Sequence, residues 1–400
     1  MSLNFESLLS ALSGSAAAFR SVTKLQPVEG EGGKIFPATF ANGAYATEKR
    51  RILDAAGQER EVDCVLLDSV QSQSNRAEES LKNAIERGKI SLPLIEVEFN
   101  GSNEKRRKSA TKFDQPGCAA RLADAILRDS EMADGTGFSK SEFAKRWGRS
   151  NLWNATAVYE LCPTALVFGM WGSPEKPGGL GAKFERTYVS EIVAVDVERV
   201  ESREGFRIDP LGSRSAVLVK PKEDGSFGLA DTKTKDALPP AKINHGNIPF
   251  QTPNGGLRCR YAEQVTVVSL GALRKLRFPV DGRDDPHRND LGRTVLAAIG
   301  LCAGIFASEA GTSLRSRCHL WPVGGREWEL LERPGQETRK FRMNGEEASA
   351  LLGEAIKAAK QGGLAWMEQK LTLKPTAELV ELVRQSQELA AKEKGDGKAE

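Results

Sequence analysis

The chain has 400 residues, long enough for one large domain with insertions or for two domains. Hydrophobic residues make up 40% and charged residues 28%, which predicts a real core and excludes a chain too polar to fold. The formal net charge is only +3, so bulk electrostatics neither demand nor exclude a nucleic-acid partner, and the distribution of charge has to decide.

In chain order, Leu3 to Leu12 has the spacing of a short amphipathic helix, and Phe19 to Leu25 alternates like a strand. A Gly- and Pro-rich loop, Gln26 to Pro37, follows. Val62 to Leu67 is a short apolar strand. Val70 to Glu86 is helical, with Val70, Ala77, Leu81 and Ala84 on one face and Gly88 as its stop. Leu92 to Phe99 is a strand, and Asn100 to Gln115 is a polar excursion made basic by Lys105, Arg106, Arg107 and Lys108. Arg121 to Arg128 and Phe143 to Tyr159 are expected to be helical, Ala165 to Trp171 and Tyr188 to Val197 to be strands. Glu201 to Lys242, rich in Gly, Pro and charge, is expected to be a partly mobile insertion. Tyr261 to Leu276 and Leu291 to Phe306 are predicted helices; Leu314 to Trp321 and Glu327 to Leu331 a closing strand pair around Gly324 and Gly325. Glu346 to Ala359 and Thr376 to Ala391 are amphipathic helices, followed by a frayed tail from Lys392. Interleaved strands and helices with long irregular insertions and no repeat of fixed period predict an α+β fold.

No apolar run reads as long enough to span a membrane, and Met1 to Ser15 lacks a signal-peptide layout, which predicts a cytoplasmic protein without a membrane partner. The cysteines, Cys64, Cys118, Cys162, Cys259, Cys302 and Cys318, form no C-x-x-C pair and are expected to be reduced and mostly buried. With only His245, His287 and His319, no metal-site spacing arises, so neither metal nor other cofactor is expected.

Two loops look like phosphate loops and fail. In Gly30 to Lys34 the position six before the lysine is Val28, and Ile35 stands where Ser or Thr would bind magnesium. Gly178 to Lys183 is followed by Phe184. No Gly-x-Ser-x-Gly elbow supports a nucleophile, so no catalytic residue is assigned.

The segment from Val65 to Arg76 is the most informative, because a buried strand runs directly into a helix. Free N–H groups and the positive dipole end favour an anion there, and Ser69, Gln71, Ser72, Gln73, Asn75 and Arg76 are placed to hold phosphate and ribose oxygens. The alternative is a capping box of Asp68 and Gln71 with a polar exposed face beyond it. On a strand, Arg315, Arg317, His319 and Trp321 would share one face, suited to a nucleic-acid backbone and a stacked base, or simply to solvent. Arg274, Lys275 and Arg277 close a predicted helix, where cations are favourable in any case. Asn244, His245 and Asn247 lie in a turn-rich loop that suits RNA sugars or a plain turn. The basic loop at Lys105 to Lys108 is an RNA contact or a solvated face.

Taken together, the chain resembles the backbone RAMP subunit of type I-G (formerly I-U) CRISPR Cascade complexes. The resemblance is carried in order by LQPVEGEGGKIFPATF from Leu25, VLLDSVQSQSNRAEESL from Val65, DAILRDS from Asp124, ALVFGMWGS from Ala165 and AKFERTYVSEI from Ala182. It continues with RIDPLG from Arg207, INHGNIP from Ile243, YAEQVTVVSLGALRKLRFP from Tyr261, RTVLAAIGL from Arg293 and LRSRC from Leu314. Ser74 and Ala38 depart from the pattern, and the resemblance does not extend to residues 100–118, 213–240 or beyond about 340.

The resemblance implies an RRM-like (ferredoxin-like) palm spanning residues 1–345. Helical fingers lie at about 100–160 and a thumb-like excursion at about 200–245, the hand-shaped RAMP architecture, with C-terminal helices and a flexible tail over 346–400. It implies crRNA as partner, held without catalysis by Lys24, Gln26, Ser69, Gln71, Ser72, Gln73, Asn75, Arg76, Trp171, Lys183, Asn244, His245, Asn247, Arg274, Arg277, Arg315 and Arg317. Further implied partners are target DNA through the crRNA, other copies in a head-to-tail filament, the large subunit, a fused end-cap and processing subunit, and the helicase-nuclease. The competing expectations are a RAMP ribonuclease that processes the guide or cleaves target RNA, and a structural protein that merely sits in the complex.

Overall fold

The computed structural model describes residues 3–53, 56–99, 111–114, 122, 124–172, 182–201, 205–222, 224–246, 248–250 and 255–395. Helix α1 (Phe5–Ser13), capped by the Asn4 side chain, leads into strand β1 (Ala18–Pro27). The hairpin β2 (Thr47–Leu53) and β3 (Glu59–Asp68) runs straight into α2 (Val70–Glu86). Next come β4 (Ile95–Phe99), β5 (Thr111–Asp114), α3 (Ala125–Arg128), β6 (Ser130–Glu131), α4 (Glu142–Trp147), α5 (Thr156–Leu161) and α6 (Pro163–Phe168). The short pair β7 (Met170–Trp171) and β8 (Lys183–Phe184) precedes the long β9 (Tyr188–Arg199). Then follow β10 (Gly205–Arg207), β11 (Leu218–Pro221), β12 (Phe227–Ala230) and β13 (Ile248–Phe250), and after them β14 (Leu257–Ser269), α7 (Leu270–Leu273) and α8 (Pro286–Glu309). The chain closes with β15 (Thr312–Arg315), β16 (Cys318–Pro322), β17 (Trp328–Leu331), β18 (Arg339–Phe341), α9 (Gly345–Gln361), β19 (Leu371–Pro375) and α10 (Ala377–Gly395).

The central sheet has the order β15-β16-β1-β14-β9-β3-β2, with β17 on β1 and β18 on β17. Its pairs are all antiparallel. Set the insertions aside and β1, α2, β9, β14, α8 and β16 follow one another as βαββαβ, with sheet order β16-β1-β14-β9. This is consistent with a ferredoxin-like core in an open, mixed α/β fold. Along β1, Phe19, Ser21, Thr23 and Leu25 are buried, while Arg20, Val22, Lys24 and Gln26 are half-buried or exposed, the two-residue period of a strand with one covered face. Helices α2 and α8 pack on each other, α2 against β9 and α8 against β14.

Helix α8 is buried at almost every position from Leu291 to Phe306. A Cβ at Gly304 would lie 2.9 Å from the ring of Trp328, and one at Gly300 would lie 3.1 Å from Val268, so these glycines let the helix sit close on the sheet. By length and composition this helix is apolar enough to cross a membrane, which corrects the expectation that no such run exists. Yet 83% of its apolar window is buried in the fold, and it serves as the core helix. Among the described residues the five cysteines are buried and form no disulfide; Cys118 lies outside the described residues.

Several expectations are corrected. Tyr261 to Leu276 is a strand to Ser269 and only then a short helix, because Val265, Thr266, Val267 and Val268 are β-branched and the segment is paired on both sides, by β1 and β9. Ala165 to Trp171 is mostly the end of helix α6: Pro163 opens it, Gly169 at φ 82° ends it, and its wholly buried apolar run carries no period. The predicted helix Phe143 to Tyr159 splits in two around Gly148 and the Asn151–Asn154 turn. In Arg121 to Arg128 only Ala125–Arg128 is α-helical among the described residues. The two C-terminal segments do not pair with each other; β16 and β17 both lie on β1, at Leu25–Pro27 and Ala18–Arg20.

In the insertion between β9 and β14, β10 pairs with β13 and β11 with β12. At the C-terminal end, α9 packs on α8, and β19 runs parallel to β4 and antiparallel to β6.

Candidate nucleic-acid interface

The strand-to-helix junction is built around Asp68, which is 2% exposed. Its carboxylate accepts hydrogen bonds from Ser72 Oγ at 2.8 Å, Gln73 Nε2 at 2.6 Å and Arg76 Nε at 2.9 Å, with Arg315 Nη2 3.6 Å away. The capping box of Asp68 and Gln71 is not formed. Ser69 caps the helix by accepting the Ser72 N–H at 3.3 Å, and Gln71 binds Asn75 and Arg186 instead. A strand that ends one residue before the cap leaves Asp68 pointing beneath the first turn, where it gathers donors from the next two turns. The predicted donors Ser72, Gln73 and Arg76 are therefore brought together, and they are engaged with the protein itself.

Beside this junction, α2, the C-terminal end of α8 and β15 enclose a cleft of about 550 Å³. Arg76 lines it with 37% of its side chain exposed, and its terminal nitrogens donate to the carbonyls of Ser313 at 3.1 Å and Leu314 at 2.9 Å. Across the cleft, Arg326 donates to Gln264 Oε1 at 2.8 Å and Thr312 Oγ1 at 3.3 Å. Behind it a buried polar chain runs from Gln264 to Gln73 at 2.8 Å, with Ser190 and Thr266 joined to it. Sequence reasoning missed Arg326, which sits after Gly325 in a loop with no periodic signal of its own.

On the uncovered face of the sheet, Lys24 stands 4.9 Å over the Tyr261 ring, and Gln26 pairs with Trp321, which is 64% exposed. Leu314 to Trp321 is not one strand but a hairpin, turned at Ser316 and Arg317, with Arg317 at φ 57°. The turn breaks the expected shared face. Arg315 reaches in to Asp68, Arg317 lies 4.6 Å from the Phe36 ring centroid, and only His319 and Trp321 stay outward on the strand. Lys34 lies on the same Phe36 ring at 5.4 Å. Phe36 and Tyr261 were not singled out from sequence, although both lie in stretches that carry the family resemblance.

Trp171 is 70% exposed with the Lys183 ammonium 5.0 Å above its ring. Arg274 instead ties the start of the chain down, donating to the carbonyls of Ala11 and Ala16. Arg277 pairs with Asp284 and lies 5.1 Å from the Trp153 ring. Asn244 is left-handed at φ 63° after the 3-10 turn, and the His245 ring is 5.7 Å from Phe227. That loop is folded onto Asp209, which accepts the N–H groups of Ser213 at 2.7 Å, Leu211 at 3.1 Å and Gly246 at 3.1 Å. The Ser213 hydroxyl and these amides pull the Asp209 pKa down to about 2. Asn247 and Lys105 to Lys108 lie outside the described residues.

Among the described residues, Lys24, Lys34, Lys183, Arg317 and Arg326 have no carboxylate within 4.0 Å, and the first four lie against aromatic rings. Unpaired cations interleaved with aromatic rings suit a strand with phosphates and stackable bases. Among the described residues no group of three or more His, Cys, Asp or Glu side chains is placed to hold a metal ion.

Fold and surface together describe a mixed α/β protein with an open sheet consistent with a ferredoxin-like core, large insertions, and several cation–aromatic pairs. Residues 19–199 match the family model described as CRISPR-associated protein GSU0053 (Cas_GSU0053). That stretch runs from β1 to the end of β9 and contains the Asp68–Arg76 junction; over about half its length the chain is similar to a CRISPR-associated protein of the RAMP family. No curated protein matches the chain.

Proposed function

We propose that this protein is the guide-RNA-binding backbone subunit of a type I CRISPR effector, of type I-G, polymerising head-to-tail along the crRNA and presenting it to target DNA. The match of residues 19–199 to a CRISPR-associated family carries this reading. The cations stacked on Tyr261, Phe36 and Trp171 support it, because they offer contacts to phosphate and base faces without reading base edges. Base pairing then supplies specificity and the protein supplies shape. In this reading the insertion at about 200–245 acts as the thumb, and the subunit works in the cytoplasm beside the large subunit, the end-cap subunit and the helicase-nuclease.

The ribonuclease alternative needs an acid free to exchange a proton with RNA. Asp68, the acid at the strand-to-helix junction, is buried and accepts three hydrogen bonds, which favours a structural role for it. The deciding experiment is to size and sequence the nucleic acid that copurifies with the protein, and to follow assembly by light scattering with and without guide. RNA of uniform length and RNA-dependent growth are expected. A closed ring that forms without RNA, or cleavage of the guide abolished by Asp68→Asn, would sink the reading.

A further inference from the structure

We propose that Arg326 anchors a phosphate-binding site in the cleft between α2, the end of α8 and β15. The ligand chemistry is one phosphoryl group, from an RNA backbone or from a free phosphate monoester. The proposal rests on the guide-RNA reading only for the first of those sources.

Arg326 is half-buried, and its Nε is shut off from solvent without any hydrogen-bond partner. Among the described residues no carboxylate lies within 4.0 Å of its guanidinium. A guanidinium withdrawn from water without a counter-ion is costly, and proteins that keep one generally supply the anion from elsewhere. The fork is also held in place, since one terminal nitrogen donates to Gln264 Oε1 and the other to Thr312 Oγ1. With the Nε–H closed off, each terminal nitrogen keeps one further N–H without a partner among the described residues, and the outer edge of a fixed planar guanidinium is a geometry that binds phosphate through two parallel bonds.

The surroundings fit the same ligand. Arg76 reaches the strand segment that Arg326 touches, its terminal nitrogens on Ser313 and Leu314 where Arg326 takes Thr312, so two guanidinium groups flank one short stretch of chain. Arg76 is balanced by Asp68, whereas Arg326 has no carboxylate within 4.0 Å among the described residues. The carboxylate in the lining is Glu79, on the exposed rim of α2. A volume of about 550 Å³ admits a nucleotide, and Ser72 and Asn75 line the same cleft. Burial also pushes the Arg326 pKa below its ordinary value, a penalty that a bound anion would relieve.

The test uses RNA-free full-length protein and three probes: inorganic phosphate, adenosine monophosphate, and a short unstructured RNA. Wild type should gain thermal stability with phosphate and with the monophosphate; Arg326→Gln should not, and Arg326→Lys should keep a weaker response because it retains charge but not the fork. For the RNA, Arg326→Gln should lose about tenfold in affinity and about one unit of salt slope. Circular dichroism of Arg326→Lys, the milder change, keeps the test open if Arg326→Gln fails to fold. Unchanged anion and RNA binding in either folded variant overturns the site while leaving the guide-RNA reading intact. Protection by phosphate in a protein that binds no RNA at all sinks the guide-RNA reading and leaves the site standing, with the monoester as its source.

Discussion

Arg76 turns back along its own helix to hold Asp68, Nε to Oδ2 at 2.9 Å, while its two terminal nitrogens grip the carbonyls of Ser313 and Leu314. One side chain thus fastens β3, α2 and β15 together. Arg76→Ala leaves a carboxylate with 1% side-chain exposure and, among the described residues, only Arg315, at 3.6 Å, as an ion-pair partner. Breaking a buried pair costs about 3–5 kcal/mol, and the 37% exposure of Arg76 lowers that to about 2 kcal/mol here. Urea unfolding measures it. Asp68→Asn in the same chain should restore part of the loss, because the two changes share one interaction; strict additivity would argue that the pair carries no coupling.

Gln264 links Gln73 on α2 to Arg326 at the cleft. Gln264→Leu keeps the volume but strands buried polar atoms on both partners. A loss of about 2 kcal/mol is expected from the midpoint of denaturant unfolding, since an unsatisfied buried group costs about 1–3 kcal/mol. An unchanged midpoint would mean that water replaces the amide.

Trp171 and Lys183 separate stacking from charge. Lys183→Ala should weaken RNA binding equally for unrelated spacers and lower the salt slope by about one unit. Trp171→Ala should cost about 1–3 kcal/mol of RNA affinity with no change of slope. Neither should alter the melting temperature much, given that Trp171 is 70% exposed. If both variants bind RNA as wild type does, this hairpin lies off the RNA path.

Asp209 joins two separated stretches of the family resemblance by accepting amides from Leu211, Ser213 and Gly246. Its folded pKa of about 2 lies below the ordinary value of about 3.9, so its stabilisation is complete above the ordinary value and is lost as pH falls through the folded one. Amide exchange at Ser213 and Gly246, corrected for the intrinsic pH effect, should speed up in that acidic window. Asp209→Asn should show the faster exchange already at neutral pH. Equal protection in wild type and variant at neutral pH would refute the role.

The clearest parts of the sequence were segments whose burial obeys one period. Helix α2 matches its expected bounds because its apolar residues keep to one face and Ser69 and Gly88 punctuate its ends. Strand β14 reads as a helix in the sequence because Ala262, Val265 and Val268 keep a helical spacing, whereas the face it buries is Ala262, Gln264, Thr266 and Val268, whose polar members hide the two-residue period until its two partners decide. The cleft was half legible: the α2 side announces itself through Ser72, Asn75 and Arg76, whereas Gln264 and Arg326 join it purely by tertiary placement. The Arg317 turn hid for a related reason, because a left-handed non-glycine residue leaves no mark in an alternating pattern.

The insertion between β9 and β14 leaves and returns at neighbouring points, for Arg199 and Leu257 are partners in the register. The chain could bridge that gap with a tight turn, and lengthening such a loop adds closure entropy only logarithmically. Evolution can therefore lengthen, shorten or rewrite the insertion beyond the Val200–Gly256 hydrogen bond at its base without disturbing the β9–β14 hairpin. The same junction is a natural place to graft a foreign module, such as a fluorescent reporter or a different contact loop, onto an otherwise unaltered scaffold.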